Sequence, residues 1–323
     1  MIGGCLESLA KSDYLISRFE VILADNGSSD STVEIARSFA DTLQIRILSR
    51  PGVTVSELRN AGAAVARGAI LAFLDADCQV PCDWLENAER HLSHSSAGIV
   101  GGYIAIPDDS SWIARAWYRL GYAPRTGDVS YVPSGNLLVR RSCFVELRGF
   151  MNDLRTAEDF DLCLRARRAG WPVRGAADLA VLHRRTPQSL REFYIRERWH
   201  GAHVGLALSK NFGDWSNFRA FAFAVYMLAC VLGTLGGLVY GLASHHYLVL
   251  FVCLLGIPAG SMVCSLLKLR RVRRCDRRWL AFLQLTALHV TYGLARATAL
   301  IGTPILYPRG GTSDLKEDTS WQL

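Results

Sequence analysis

The sequence predicts an α/β domain built on a mostly parallel sheet with helices on both faces, followed by an α-helical membrane region. Three observations carry this expectation. Short apolar runs alternate with helix-length amphipathic segments up to about residue 210, two of those runs close on acidic turns, and 48 residues between Arg219 and Lys268 contain no Asp, Glu, Lys or Arg.

The runs Phe19 to Ala24, Leu43 to Leu48 and Ala69 to Leu74 have strand length and are largely apolar, as the strands of a covered parallel sheet are. Between them, Ser31-Thr-Val-Glu34 and Thr54-Val-Ser-Glu57 have the spacing of capping boxes, and Gly68 precedes the third run. The segment from Glu158 to Gly170 is a further helix with acids in its first turn, where the helix dipole favours them. Ser111 to Leu120 places Trp112, Arg115 and Arg119 together at helical spacing. It reads equally as a helix at the lipid headgroups and as a core helix.

A helix crossing a hydrocarbon core of about 30 Å needs roughly 20 residues. The charge-free stretch therefore holds two spans, Ala220 to Ala243 and Tyr247 to Leu267, turning at Ser244-His245-His246. The next loop, Lys268 to Arg278, carries seven basic residues and one acidic, which orients it and the large N-terminal domain toward the cytosol. A third apolar segment, Trp279 to Tyr307, is interrupted by Arg296 and is expected to be a third span. The resulting division is a cytosolic domain over 1–210, a membrane region over 211–307 and a polar tail over 308–323, in a multi-pass protein of the cell membrane.

The net charge of +7 does not indicate a nucleic-acid partner. Residues 1–210 hold 25 basic against 24 acidic side chains, and the excess, 11 against 5, belongs to the apolar remainder. The nine cysteines are irregularly spaced, with no second pair to complete a zinc site beside Cys78 and Cys82, so reduced thiols are expected. The first residues show neither a basic n-region nor an apolar h-region, and no signal peptide is expected.

In an open parallel sheet, ligands bind beyond the carboxyl ends of the strands. The first run passes into Asp25-Asn-Gly-Ser-Ser-Asp30 and the third into Asp75-Ala-Asp77-Cys78. In an extended chain Asp75 and Asp77 face the same way, and two converging carboxylates need a proton or a cation between them. A solvated acidic loop is the plainer alternative. Mg²⁺ or Mn²⁺ would complete its shell there from water and phosphate oxygens.

Together, Asp25-Asn-Gly-Ser-Ser-Asp30, Arg59-Asn-Ala-Gly62, Asp75-Ala-Asp77, Ser134-Gly-Asn136 to Arg140, Gly149-Phe150, Ala157-Glu-Asp159, Gly170-Trp171 and Arg198-Trp199 resemble the GT-A glycosyltransferases of family 2 in order and spacing. The resemblance covers about residues 4–205. It implies an inverting transferase using a nucleotide diphosphate sugar, in which Asp25 contacts the donor base and Arg59 lies near the nucleotide. Asp77 would contact a divalent cation directly, and Asp75 the ribose or the cation's outer shell. Asp159 would be the catalytic base, and Arg198 and Trp199 would lie near the diphosphate and the acceptor. Asp161 is expected to be only a first-turn acid, and His183 a structural histidine rather than a third metal ligand. The implied donor is a UDP-sugar, and the implied acceptor is a membrane-associated, polyprenyl-linked glycan of a bacterial surface pathway.

Two features depart from the family pattern. Members ordinarily open with an apolar strand, whereas Met1 to Lys11 reads as the back half of the helix that follows it, so that strand is expected to be missing. Ile195 stands where Gln of a Gln-x-x-Arg-Trp element would be, which favours single transfer over a processive polysaccharide synthase. A non-catalytic membrane subunit retaining the scaffold is the alternative from another class.

Overall fold

The computed structural model describes residues 1–119, 126–154, 156–201, 218–270, 272 and 277–302. They fall into two compact units, one drawn from Met1–Pro107 and Pro124–Arg185, the other from Asp108–Ala123 and Thr186–Leu306. The sequence-based boundary at 210 and the polar tail lie outside the described residues, as does much of the basic loop.

The strands are β1 (Val21–Asp25), β2 (Ile45–Ser49), β3 (Ile70–Leu74), β4 (Cys78–Gln79), β5 (Ile99–Gly101), β6 (Ile104–Ala105), β7 (Gly127–Asp128), β8 (Asn136–Arg140), β9 (Val173–Gly175) and β10 (Val181–His183). The helices that matter below are α1 (Ile2–Ala10), α2 (Thr32–Arg37), α3 (Val55–Val65), α4 (Trp84–Ser93), α5 (Trp112–Ala114), α6 (Arg141–Glu146), α7 (Glu158–Arg168), α8 (Leu190–Gly201), α9 (Phe218–Ser244), α10 (Leu248–Arg270) and α11 (Arg278–Ile301). The three expected strands are therefore present within two residues of their expected ends.

The central sheet has the order β3-β8-β5-β9-β7, and its strands β8 and β5 are buried on both faces. Successive side chains of a strand point to opposite faces, and β8 shows the result. Leu138 joins one core with Leu6, Leu92, Trp84 and Val100, while Leu137 and Val139 join another with Phe73, Ile99, Phe150 and Leu162. Each of these three β8 side chains is at most 1% exposed, worth about 1.5–3 kcal/mol apiece.

The sheet is more mixed than expected. β1/β2, β5/β9 and β6/β10 are parallel, but β8 runs antiparallel to both β3 and β5. An apolar run signals a buried strand without giving its direction, which the crossovers decide. β1 pairs with β2 alone, and among the described residues no strand lies on the other flank of β1, or on the flank of β3 away from β8.

Of the two expected capping boxes only the second forms. Thr54 accepts from the Glu57 amide at 3.2 Å, and Glu57 accepts from the Thr54 amide at 2.8 Å. Ser31 makes no side-chain cap, and the Asp30 carboxylate accepts from the Thr32 amide at 3.1 Å. α3 ends at Val65, so Gly68 lies in the link to β3 rather than at the cap.

In the second unit, α9 and α10 have 27 and 23 residues, about 40 Å and 35 Å at 1.5 Å per residue. These two are long and apolar enough to cross a membrane. Leu232, Leu235, Val239, Leu242, Phe251, Val252 and Leu255 are more than half exposed along them, as lipid-facing side chains are. α11 is a continuous helix of 24 residues, but it buries Leu285 and Leu288 completely, bonds His289 to Ser265 of α10 at 2.8 Å, and pairs Arg296 with Glu197 of α8 at 2.8 Å.

Of the Ser111 to Leu120 segment, residues 111–119 are described; Trp117 packs inward while Trp112 stays 37% exposed. Helix α5 passes into a π turn over Arg115–Arg119, and Trp117 is buried with Phe193, His289 and Tyr292 at 5.0, 5.2 and 5.3 Å between ring centres. Lys268 lies 4.0 Å over the same ring and donates to the Trp117 carbonyl at 3.0 Å.

Candidate active site

The turn after β1 is built around Asp25. Its carboxylate accepts from the Gly27 amide at 3.0 Å, from the Ser28 amide at 3.1 Å and from the Ser28 hydroxyl at 2.5 Å. Gly27 has φ 86, a region where a side chain is strained, and a Cβ there would stand 3.0 Å from Pro51. Asn26 bonds both ways with the Val53 backbone, at 3.1 and 3.2 Å, which ties this loop to the entrance of α3.

α3 presents its polar side chains to the chain segment that leads into α7. Ser56 donates to the Leu154 carbonyl at 2.9 Å, and Asn60 donates to the Phe150 carbonyl at 2.8 Å while accepting from its amide at 2.9 Å. Gly149, at φ 69, allows that approach, since a Cβ would meet Asn60 Oδ1 at 2.5 Å. The residue before Asn60, Arg59, donates to Asp75 Oδ1 at 2.9 Å and to Glu158 Oε1 at 2.7 Å. Burial works against the Arg59 charge, but Asp75, Glu158 and Asp159 outweigh it and raise its pKa.

The Asp75–Asp77 segment is not extended. The Cys78 amide donates to the Asp75 carbonyl at 2.9 Å and closes a tight turn, so the two carboxylates meet different partners. Asp75 takes Arg59, and a Cβ on Gly135 would stand 2.6 Å from its other oxygen. Asp77 Oδ1 lies 3.4 Å from His183 Nε2. The register explains this meeting: β4 and β10 are antiparallel with Cys78 opposite His183, and the Arg184 amide donates to the Asp77 carbonyl at 2.9 Å. Both carboxylates remain near the buried Cys5 thiol, whose pKa burial pushes up to about 12 with their help.

His183 thus stands beside Asp77, a neighbour that the sequence does not indicate. Two cis ligands of one octahedral Mg²⁺ or Mn²⁺ ion sit about 3 Å apart, so an oxygen of Asp77 and a nitrogen of His183 fit one cation. The Cys78 thiol belongs to the same group of three, within 4.8 Å. Mg²⁺ and Mn²⁺ take oxygen ligands in preference to sulfur, which makes the thiol a poor ligand for them.

At the start of α7, Ala157 has φ 64, a left-handed conformation unusual for a residue with a Cβ. Asp159 Oδ1 accepts from the Phe160 amide at 2.7 Å and Oδ2 from the Ser134 amide at 3.1 Å. Burial and the neighbouring Glu158 raise its pKa to about 7, against the pull of those two amides and Arg59. Asp161 stands two residues further along α7. It is buried and pairs with Arg165 at 2.7 Å, while Arg165 ties down the carbonyls of Leu147 and Gly149.

Arg59, Asp75, Glu158, Ser134 and Asp159 therefore form one hydrogen-bonded group, with Asp77 and His183 next to it in the chain fold and Asp25 at the end of β1. Arg198 and Trp199 lie on α8, in the other unit. Sequence reasoning gave Glu158 and Ser134 no role, although both stand beside residues that it singled out.

Residues 1–148 match the family described as glycosyl transferase family 2. Glycosyltransferase AglE of Haloferax volcanii is 31% identical over 193 residues, which is 58% of this chain and 63% of that protein. The pre-mycofactocin glycosyltransferase of Mycobacterium tuberculosis is 30% identical over 192 residues, 56% of this chain and 40% of that protein. The chain thus spans less than two thirds of the length of either relative. Among solved structures, mannosyltransferase PcManGT from Pyrobaculum calidifontis, in complex with GDP-Man and Mn²⁺, has a TM-score of 0.58 at 17% identity, covering 91% of this chain and 82% of that one. TarS of S. aureus has a TM-score of 0.50 at 16% identity over 92% of this chain and 52% of that one. The α/β unit has the GT-A fold, and its residues 1–148 match glycosyl transferase family 2.

Proposed function

We propose that the protein is a membrane-anchored inverting glycosyltransferase that moves a sugar from a nucleotide diphosphate donor, a UDP-sugar, to a hydroxyl of a membrane-associated, polyprenyl-linked acceptor in surface glycan synthesis. The observation that carries this reading is the hydrogen-bonded group that places a carboxylate of raised pKa, Asp159, beside the Arg59-bound Asp75. A group that takes a proton from a hydroxyl near neutral pH works best with a pKa close to that pH. Asp159 has that property, and its two amide bonds hold it in one orientation.

Asp77 and His183 would hold the divalent cation, Mg²⁺ or Mn²⁺, with Asp75 outside its direct shell because Arg59 occupies one of its oxygens. When bound, such a cation neutralises negative charge on a departing diphosphate. Asp25 shapes the turn that would receive the donor base and keeps little capacity for further bonds, since three donors already fill its carboxylate. Arg198 and Trp199 are assigned to the diphosphate and the acceptor on the resemblance alone. Anchoring through α9 and α10 would raise the effective concentration of a lipid-borne acceptor.

The test is a transfer assay with the full chain in lipid vesicles, using labelled UDP- and GDP-sugars, Mn²⁺ or Mg²⁺ and polyprenyl-phosphate-linked sugars. Cation-dependent transfer that disappears in Asp159→Asn while calorimetric binding of UDP persists is the expected result. Binding of neither UDP nor GDP with either cation would favour a non-catalytic scaffold, and turnover retained by Asp159→Asn would remove that residue from the mechanism.

A further inference from the structure

Of the two acids that open α7, Glu158 is the more firmly held. It is 6% exposed, and its Oε1 accepts from both Arg59, at 2.7 Å, and the Ser134 hydroxyl, at 2.8 Å. Ser134 then touches the second acid as well, through its amide to Asp159 Oδ2 at 3.1 Å. One serine thus bonds both carboxylates, its side chain to the first and its backbone to the second.

A carboxylate buried to this degree costs several kcal/mol unless it is paired and bonded. Glu158 has both kinds of partner, and removing its charge would leave Arg59 with Asp75 as its remaining bonded acid. A first-turn acid that served only the helix dipole would point to solvent and need no such partners. The left-handed Ala157 just before it fixes the entry of the chain into α7 at the cost of local strain.

We propose that Glu158 is a positioning residue for Asp159: gripped by Arg59 and the Ser134 hydroxyl, it fixes the Ser134 amide that aims the Asp159 carboxylate. This rests on the reading of Asp159 as the base. The groups facing Asp159 are Glu158 beside it, Arg59 from α3, the Ser134 and Phe160 amides, and the Cys163 thiol one turn along α7. Of the charged ones, Glu158 makes Asp159 harder to ionise and Arg59 makes it easier. Glu158 therefore both orients the carboxylate and keeps it basic.

Glu158→Gln separates the two effects, because an amide oxygen still accepts from Arg59 and Ser134 while the charge is gone. The experiment is a carboxyl titration of the full chain in detergent micelles, labelled with ¹³C-aspartate, with Asp159→Asn identifying the signal. The wild-type midpoint is expected near 7, and Glu158→Gln should lower it by about one unit or more. Ser134→Ala, which keeps the backbone amide but removes the hydroxyl, should broaden the Asp159 signal and speed hydrogen exchange of the residue-134 amide. With an active donor and acceptor pair, Glu158→Gln should lower kcat roughly tenfold or more with little change in donor KM. An Asp159 midpoint unmoved by Glu158→Gln, or an unchanged residue-134 amide in Ser134→Ala, would overturn the proposal. Because the titration needs no turnover, that outcome is distinct from finding that Asp159→Asn still transfers sugar, which would sink the transferase mechanism instead.

Discussion

Arg59 and Glu158 lie 99 positions apart in the chain and form a 2.7 Å ion pair with side chains only 15% and 8% exposed. Asp75 takes the other arm of the same guanidinium. One arginine thus joins the turn after β3 to the start of α7, the two places that supply the acids of the site. Its planar fork of donors bridges two carboxylates in a way a lysine ammonium cannot reproduce with the same geometry.

Replacing Arg59 with Ala leaves Glu158 buried and without its cation. The expected loss of stability is about 3–5 kcal/mol, read as a fall in the denaturation midpoint, and Arg59→Lys should recover only part of it. A Tm within a degree of wild type for Arg59→Ala would show that the pair does not support the fold.

The Asp159 carboxyl should set the acid limb of the pH–rate profile. As a base it must be ionised, so kcat/KM is expected to rise with pH through about 7 and then level off. The sign for stability is opposite. A carboxyl with its folded pKa raised from 3.8 to about 7 binds its proton more tightly folded than unfolded, so its stabilising share is complete below about 3.8 and is lost as pH rises through about 7. A rate limb near 4 would show that Asp159 has an ordinary carboxylate environment.

His183→Ala and Asp77→Asn should each weaken Mn²⁺ binding by about tenfold or more, measured by electron paramagnetic resonance of the free ion in the presence of UDP. Cys78→Ser should leave it nearly unchanged, because Mn²⁺ favours oxygen and imidazole ligands over a thiol. Equal losses from Cys78→Ser would bring that sulfur into the metal shell.

Placing a charge midway along α9 or α10 should disturb membrane insertion. Leu235→Asp and Leu255→Asp each put a carboxylate on an exposed apolar position, a penalty of about 2.5–3.5 kcal/mol at the centre of a span. The variants are expected to shift from carbonate-resistant membranes into the soluble or aggregated fraction. Unchanged membrane retention in the double variant would argue that these helices do not cross a bilayer.

The sequence by itself determined the strand and helix rhythm, the apolar hairpin of α9 and α10, and the acids Asp25, Asp75 and Asp77 that follow strands, whereas Arg59 and Asp159 were singled out only by the family resemblance. Those features are local: a run of apolar residues or an acid after a strand is visible without knowing what it touches. The tertiary structure alone decided that β8 enters antiparallel between β3 and β5, that His183 lies across the ladder beside Asp77, and that Arg59 chooses Asp75 and Glu158. It also decided that the Asp75–Asp77 segment turns rather than extends, and that Trp117 packs against Phe193 of α8. Each of these depends on which distant segment arrives alongside. That is fixed by pairing register and by the need to satisfy buried charge, and neither is written in the spacing of neighbouring residues.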